Sequence, residues 1–110
     1  MTFNDYQDQA HETSLNTRIG NDTILYPALG LANEAGEVLG KLKKIYRDSN
    51  GEYKGADRIM IAKELGDVLW YLAELTTKLN FDLNEVAQGN LIKLAQRKAQ
   101  GTIKGDGDER

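Results

Sequence analysis

The sequence contains no cysteine, and its 110 residues include only one histidine and one proline. Without cysteine, the chain has neither a disulfide framework nor a thiolate metal site. The single histidine, His11, excludes the paired glutamate–histidine motifs with which di-iron helical bundles bind metal. Because the residues around His11 are polar, we expect an ordinary solvated side chain at this position, and the alternative is a histidine that lines a site.

The chain also lacks an excess of positive charge and any long hydrophobic segment. Its 14 lysine and arginine residues stand against 17 aspartate and glutamate residues, a net charge of −3, which argues against non-specific binding to nucleic acid. No apolar segment approaches the roughly 20 residues that cross a membrane, and the first residues do not have the form of a signal peptide. We therefore expect a cytoplasmic protein with neither a nucleic-acid nor a membrane partner.

The spacing of apolar residues predicts an all-α protein of four helices with short connections. The predicted helices run from Thr2 to about Ser14, from Pro27 to about Arg47, from Asp57 to about Lys78, and from Asp82 to about Ala99. The sequence Asp82-x-x-Glu85 has the form of a capping box at the start of the fourth helix. Residues 1–110 are predicted to form a single domain with an irregular tail from about residue 101, and oligomerisation would help a domain of this size.

Three glycines, Gly30, Gly36 and Gly40, lie within the second predicted helix. Each weakens a helix by roughly 1 kcal/mol relative to alanine. Close packing against a neighbouring helix is the expected reason for all three.

Two of the predicted helices each carry a pair of carboxylates three residues apart. The pairs are Glu34 with Glu37 on the second helix and Glu64 with Asp67 on the third. Each pair borders an apolar stripe, where like charges repel each other and lose hydration unless a cation lies between them. If the two helices pack antiparallel, the four carboxylates can meet at one edge of the seam and bind a hard cation, for which Mg²⁺ fits best and Mn²⁺ is the alternative. The competing interpretation of either pair alone is a solvated surface.

Polar and positively charged side chains are expected to lie near these carboxylates or near a ligand beside them. Asn90, Lys93 and Arg97 lie within about 60° of one another on the fourth helix. The two cations either neutralise the carboxylates or bind the phosphates of a ligand, and a structural row of salt bridges is the third interpretation. Lys41 and Lys44 fall on the carboxylate side of the second helix, where they are solvated, reach a phosphate or screen the acidic cluster.

Taken together, these motifs resemble those of a known family. The two acidic pairs, with 26 residues between them, resemble the ExxE…ExxD signature of the MazG-type all-α nucleoside triphosphate pyrophosphohydrolases. The segments 30–38, 63–72 and 90–97 look like the second, third and fourth helices of that family, in its short single-domain bacterial and phage members. One position departs from the family pattern, because Asn33 stands where many members have a glutamate before the first acidic pair.

The resemblance implies hydrolysis of a nucleoside triphosphate to the monophosphate and pyrophosphate, with Mg²⁺ as cofactor. Carried over by position, the implied metal ligands are Glu34, Glu37, Glu64 and Asp67. The implied substrate-binding residues are Asn90, Lys93 and Arg97, with the two cations on phosphate oxygens. A glutamate that is not fully used as a ligand would act as the general base, and the choice between Glu34 and Glu37 is open.

The position of Trp70 on the third predicted helix indicates self-association. On a helical wheel it lies opposite the apolar stripe of the third helix, on a second apolar face with Ile59, Ala73 and Thr77. Such a face would be exposed in a lone four-helix domain, so we expect a homodimer or homotetramer with Trp70 between subunits. The competing hypothesis is that Trp70 stacks on the base of the substrate.

Two other classes of function are compatible with the same residues. One is a non-catalytic helical interaction module, in which the carboxylates pair only with cations of the fourth helix. The other is a metal-dependent nucleotide sensor that binds its ligand without turnover.

Overall fold

The computed structural model describes residues 1–110 and consists of four helices. Their bounds are α1 (Phe3–Glu12), α2 (Leu25–Ser49), α3 (Gly55–Lys78) and α4 (Leu83–Gln100). The chain forms no strand, and one isolated bridge in the α1–α2 loop pairs Ile19 with Asp22. The all-α prediction is confirmed. None of the four helices combines the length and the hydropathy that crossing a membrane requires.

Local side-chain chemistry explains where the helices begin. The predicted capping box is present, because Asp82 accepts a hydrogen bond from the backbone N–H of Glu85 at 2.8 Å. The start of α2 lies two residues before the predicted one. There the Asp22 carboxylate accepts hydrogen bonds from the N–H groups of Ile24 and Leu25 at 2.8 and 3.0 Å. Pro27 therefore lies within the first helical turn, where its missing N–H costs no hydrogen bond.

Helices α2 and α3 form an antiparallel pair. Gly30 lies against Tyr71, whereas Lys41, further along α2, pairs with Glu64, which comes earlier on α3. Helix α1 packs on α3, and α4 packs on α1 and α3 but does not contact α2. Helix α2 therefore contacts α3 alone among the other helices of the chain.

Close packing explains only one of the three glycines of α2. A Cβ at Gly30 would overlap the ring of Tyr71, so the predicted reason is confirmed there. The same prediction is wrong for Gly36 and Gly40, because a Cβ at either position would meet no atom within 4 Å.

A single copy of the chain is open and leaves much apolar surface exposed. Its radius of gyration is 17.0 Å, against about 13 Å for a compact domain of this length, and only nine of the 110 residues are buried. Leu65, Leu72 and Leu79 lie along one stripe of α3 and are 52, 36 and 47% exposed.

The face of α3 that carries Trp70 is not the uncovered one, contrary to expectation. Ala73 is only 1% exposed, and the side chain of Gln7 on α1 donates a hydrogen bond to the Thr77 hydroxyl at 2.9 Å. Helix α1 of the same chain therefore covers the part of this face around Trp70, Ala73 and Thr77, whereas Ile59, near the start of α3, is 61% exposed. The stripe of Leu65, Leu72 and Leu79 on the opposite side of α3 is exposed as well.

Candidate active site

Three of the four predicted metal ligands come together across the α2–α3 seam. Carboxylate oxygens of Glu34, Glu64 and Asp67 all lie within 4.8 Å of one another. Glu34 and Glu64 are half-buried, and Asp67 is exposed. Antiparallel packing produces this convergence, as the sequence predicted, because it brings the middle of α2 beside the middle of α3.

The cluster holds more negative charge than its surroundings neutralise. Burial raises the pKa of Glu34 above its ordinary value of 4.5, and the neighbouring carboxylates of Asp67, Glu64 and Glu37 raise it further. Each of these effects opposes the ionised form of Glu34. Three converging carboxylates on two helices are a donor set that fits a hard divalent cation, and such a cation would relieve the repulsion.

Glu37 lies outside this cluster. It is exposed, and its charge is the smallest of the influences that raise the pKa of Glu34. The i,i+3 spacing places it one turn after Glu34 on the same side of α2. Glu37 is therefore the one predicted metal ligand that the structure does not bring into the cluster.

Lys41 and Lys44 border the cluster toward the end of α2. Lys41 Nζ lies 3.8 Å from a carboxylate oxygen of Glu64. Both lysines line a cavity of about 270 Å³ between the end of α2 and the start of α3. Lys41 is therefore next to the acidic cluster, and Lys44 lies in the cavity beyond it.

An aromatic wall borders the cluster on the opposite side. Trp70 donates a hydrogen bond from Nε1 to the Thr13 hydroxyl at 2.8 Å and meets the Tyr71 ring edge-on, with ring centroids 4.9 Å apart. A shallow depression is lined by these three residues together with Glu34 and Asp67. This position beside the carboxylates favours the hypothesis that Trp70 meets the base of a ligand.

The same three residues also line a deeper cavity of about 180 Å³ behind the wall. Tyr26 lies on its α2 side, with its ring centroid 6.4 Å from that of Tyr71. Burial raises the pKa of Tyr71 above its ordinary value, and a hydrogen bond with Tyr26 raises it further. Tyr71 therefore stays neutral and can donate or accept a hydrogen bond at neutral pH.

A buried carboxylate fixes the loop that forms one side of this cavity. Glu74 is 4% exposed, accepts a hydrogen bond from the Ser14 hydroxyl at 2.9 Å, and lies 3.0 Å from His11 Nδ1. The His11 side chain is 41% exposed, as expected for a solvated residue, but it also pairs with this buried carboxylate, which the sequence did not predict. Lys78 completes the group, 3.7 Å from Glu74 and donating to the Asn16 side chain at 2.8 Å.

Comparison with known proteins identifies the family. A model of the MazG nucleotide pyrophosphohydrolase domain matches residues 23–102. The chain belongs to the MazG family. It is also 41% identical to the Gene 37 protein of Mycobacterium phage L5, over 109 residues that cover 96% of each chain. No solved structure matches it.

Membership of the MazG family indicates nucleotide pyrophosphohydrolase activity, and the acidic cluster agrees with the divalent metal that the family generally uses. The matched range contains every site residue predicted from the sequence. It leaves out α1 and the following loop as far as Asp22, so Thr13 and Ser14 of the aromatic cavity lie outside the MazG match.

The polar line of α4 has a different partner from the one expected. Lys93 and Arg97 each reach the carboxylate of Asp108 in the tail at 3.1 Å, and Asn90 is exposed. Arg97 is 6% exposed, and its Nε has no hydrogen-bond partner. Since α4 does not contact α2, a single copy of this MazG chain does not bring the two cations to the Glu34 side of the seam.

Sequence reasoning missed Thr13, Tyr71 and Glu74, although one signal was present for the last two. Tyr71 and Glu74 follow Asp67 at helical intervals of four and seven residues, so they continue the carboxylate side of α3 toward its end. Thr13 carries no such signal, because it reaches Trp70 only through the docking of α1.

Proposed function

We propose that this MazG chain hydrolyses a nucleoside triphosphate to the nucleoside monophosphate and pyrophosphate, with Mg²⁺ as its metal. The observation that carries the proposal is the cluster of Glu34, Glu64 and Asp67, whose oxygens lie within 4.8 Å of one another. Three carboxylates so close together on rigid helices are costly without a cation, and a nucleoside triphosphate is a natural ligand for Mg²⁺ held by carboxylates.

The metal would be held by Glu34, Glu64 and Asp67. When bound, it supplies charge neutralisation on the phosphate oxygens and lowers the pKa of the attacking water. Glu37, exposed and outside the cluster, is left free to accept the proton of that water. The water oxygen forms a new bond to phosphorus, the bond between the α- and β-phosphates breaks, and pyrophosphate leaves with the bond's electron pair.

The nucleoside would bind on the aromatic side of the cluster. Trp70 and Tyr71 offer ring faces and edges for stacking, and the Thr13 hydroxyl and the Tyr71 phenol offer hydrogen bonds. The shared lining of Glu34, Asp67, Trp70 and Tyr71 supports this placement, because one ligand can then touch both the carboxylates and the rings.

The enzyme is proposed to act as a homodimer or homotetramer. The stripe of Leu65, Leu72 and Leu79 is an exposed apolar surface of the kind that subunits cover, and the radius of gyration of 17.0 Å supports a chain that completes its core with another copy. Since α4 does not contact α2 within one chain, Asn90, Lys93 and Arg97 would reach a substrate bound at the α2–α3 seam of a second copy.

A screen for pyrophosphate release tests the proposal. Each common ribonucleoside and deoxyribonucleoside triphosphate is incubated with the protein and Mg²⁺, and at least one should yield pyrophosphate. Nucleotide binding without any pyrophosphate would instead indicate a sensor. A melting temperature that does not respond to Mg²⁺ would indicate an interaction module, because an ion that binds only the folded protein must stabilise it.

A further inference from the structure

We propose that Lys41 and Lys44 bind the β- and γ-phosphates of the substrate. The triphosphate would then lie along the α2–α3 seam with its nucleoside toward Trp70 and its pyrophosphate end toward the end of α2. This inference rests on the proposed function and adds the direction in which the substrate lies.

The order of side chains along the seam defines the direction. Tyr71 is level with Gly30 near the start of α2, Glu34 meets Asp67 and Glu64 in the acidic cluster, and Lys41 follows beyond it. At 1.5 Å per residue, Lys41 is about 10 Å further along α2 than Glu34, and Lys44 is about 15 Å further. Aromatic rings, carboxylates and ammonium groups therefore follow one another along the seam.

A nucleoside triphosphate has its chemical groups in the matching order. Its base suits aromatic rings, its metal-bound phosphates suit the carboxylate cluster, and the remaining negative charge suits lysine. The reverse direction would put the anionic end of the substrate against Trp70 and Tyr71 and its base against two ammonium groups.

Lys41 is already held at the edge of the cluster. Its side chain is 30% exposed, and its Nζ lies 3.8 Å from Glu64, which is longer than a hydrogen bond. The ammonium group has three donors, so attraction to Glu64 positions Lys41 and leaves its donors available for phosphate oxygens.

Lys44 provides a second cation in the adjoining cavity. It is exposed and forms no ion pair within 4 Å, whereas the two acidic residues of the cavity are engaged elsewhere. Asp48 is paired with Arg47 through hydrogen bonds of 2.7 and 2.9 Å, and Asp57 accepts the backbone N–H of Lys54 at 2.9 Å. Lys44 is therefore the charge of this cavity without a partner, and Lys41 meets Glu64 only beyond hydrogen-bond distance.

The other candidate cations are less available within one chain. Lys93 and Arg97 are both paired with Asp108, and their helix does not contact α2. Lys41 and Lys44 lie on the helix that supplies Glu34 and need no rearrangement of the tail to meet a phosphate.

Binding of the two halves of the substrate tests the direction. In the presence of Mg²⁺, the protein is titrated calorimetrically with inorganic pyrophosphate and, separately, with a nucleoside monophosphate. The monophosphate is the product of the fastest substrate in the screen, or AMP if no triphosphate is hydrolysed. Lys41→Met and Lys44→Met should each weaken pyrophosphate binding about tenfold, the worth of a hydrogen bond to a charged group, and leave monophosphate binding unchanged. Lys43→Met, an exposed change on the same helix, should alter neither.

The outcomes separate this inference from the function on which it rests. Unchanged pyrophosphate binding in both variants, or an equal loss in Lys43→Met, would overturn the assignment. If the two lysine variants lost affinity only for the monophosphate, the substrate would lie in the opposite direction along the seam. Pyrophosphate binding that depends on the two lysines, in a protein that hydrolyses nothing, would support the inference and reject the activity. Melting temperatures check that each variant is folded, and Lys41→Arg should restore most of the lost affinity.

Discussion

The ring of Tyr71 lies directly against the backbone of Gly30, at a point where any Cβ would overlap it. This contact lets α2 and α3 approach closely one turn away from Glu34. It therefore helps to set the separation between Glu34 and Asp67 across the seam. Gly30 therefore matters because its missing side chain leaves room for the Tyr71 ring of α3.

Replacing Gly30 by alanine should destabilise the protein. The added methyl group must displace the Tyr71 ring, and overpacking of this kind costs about 1–3 kcal/mol. Gly36→Ala is the matched control on the same helix, because its Cβ would enter open space and alanine favours a helix by up to about 1 kcal/mol. Chemical unfolding should show a loss for the first variant and a gain for the second. Similar losses in both would contradict the specific contact with Tyr71.

Glutamine substitutions separate metal binding from proton transfer. Glu64→Gln should lose both turnover and the stabilisation by Mg²⁺, which in the wild type should reach about 2.7 kcal/mol at a free concentration about 100 times the dissociation constant. Glu37→Gln should keep the response to Mg²⁺ and lose turnover by about 100-fold or more, the contribution of a general base.

Melting curves and circular dichroism accompany both assays, so that loss of activity is not confused with loss of fold. Glu64→Gln without metal should be at least as stable as the wild type, because it removes one of several repelling charges. A folded Glu64→Gln protein with near-normal turnover would contradict the metal site. If Glu37→Gln were fully active, Glu34 would become the candidate base.

The helices were predictable because their signals are local, whereas the surroundings of Trp70 were not. The capping box of Asp82 and Glu85 lies within four residues of sequence, and so does the spacing of each acidic pair. Trp70 bonds Thr13, 57 residues away, only because α1 docks on α3. Periodicity marks a second apolar face on α3 but cannot tell whether α1 or another subunit covers it.

Buried charge was the other feature that local patterns did not reveal. Glu74 would normally be assigned to the surface, yet it is 4% exposed. Its burial is tolerable because His11, Ser14 and Lys78 surround it, and two of these three partners come from distant parts of the chain. The exposure of Glu37 likewise depends on how α2 is rotated against α3, which spacing alone leaves open.

Asp108 should compete with substrate for Lys93 and Arg97, if these cations bind phosphate as proposed. Hydrogen bonds from Lys93 and then Arg97 hold the pKa of Asp108 below its ordinary value of 3.8, so the contact is fully present at neutral pH and is lost only as the pH falls through that lowered pKa. Asp108→Asn should therefore lower KM severalfold at neutral pH. Asp106→Asn, a change in the same tail without an ion pair to these cations, should leave KM unchanged. An unchanged KM with reduced stability in Asp108→Asn would make the contact purely structural.

Self-association should depend on the exposed stripe of α3 and not on Trp70. Light scattering should find at least a dimer in the wild type, and Leu65→Gln, at a side chain 52% exposed in one copy, should shift it toward monomer. Trp70→Ala should remain oligomeric but lose nucleotide affinity, since Trp70 is bonded within its own chain. A monomeric wild type would contradict the proposed assembly. A monomeric Trp70→Ala variant would instead indicate that Trp70 lies at the subunit interface.

The most direct test of the central claim is product analysis with the best substrate of the screen. With Mg²⁺, the proposed reaction gives nucleoside monophosphate and pyrophosphate in equal amounts, and chelation of the metal stops both. Glu64→Gln should give neither product while remaining folded. Nucleoside diphosphate with orthophosphate as the products, or product formation that continues without divalent metal, would contradict the account.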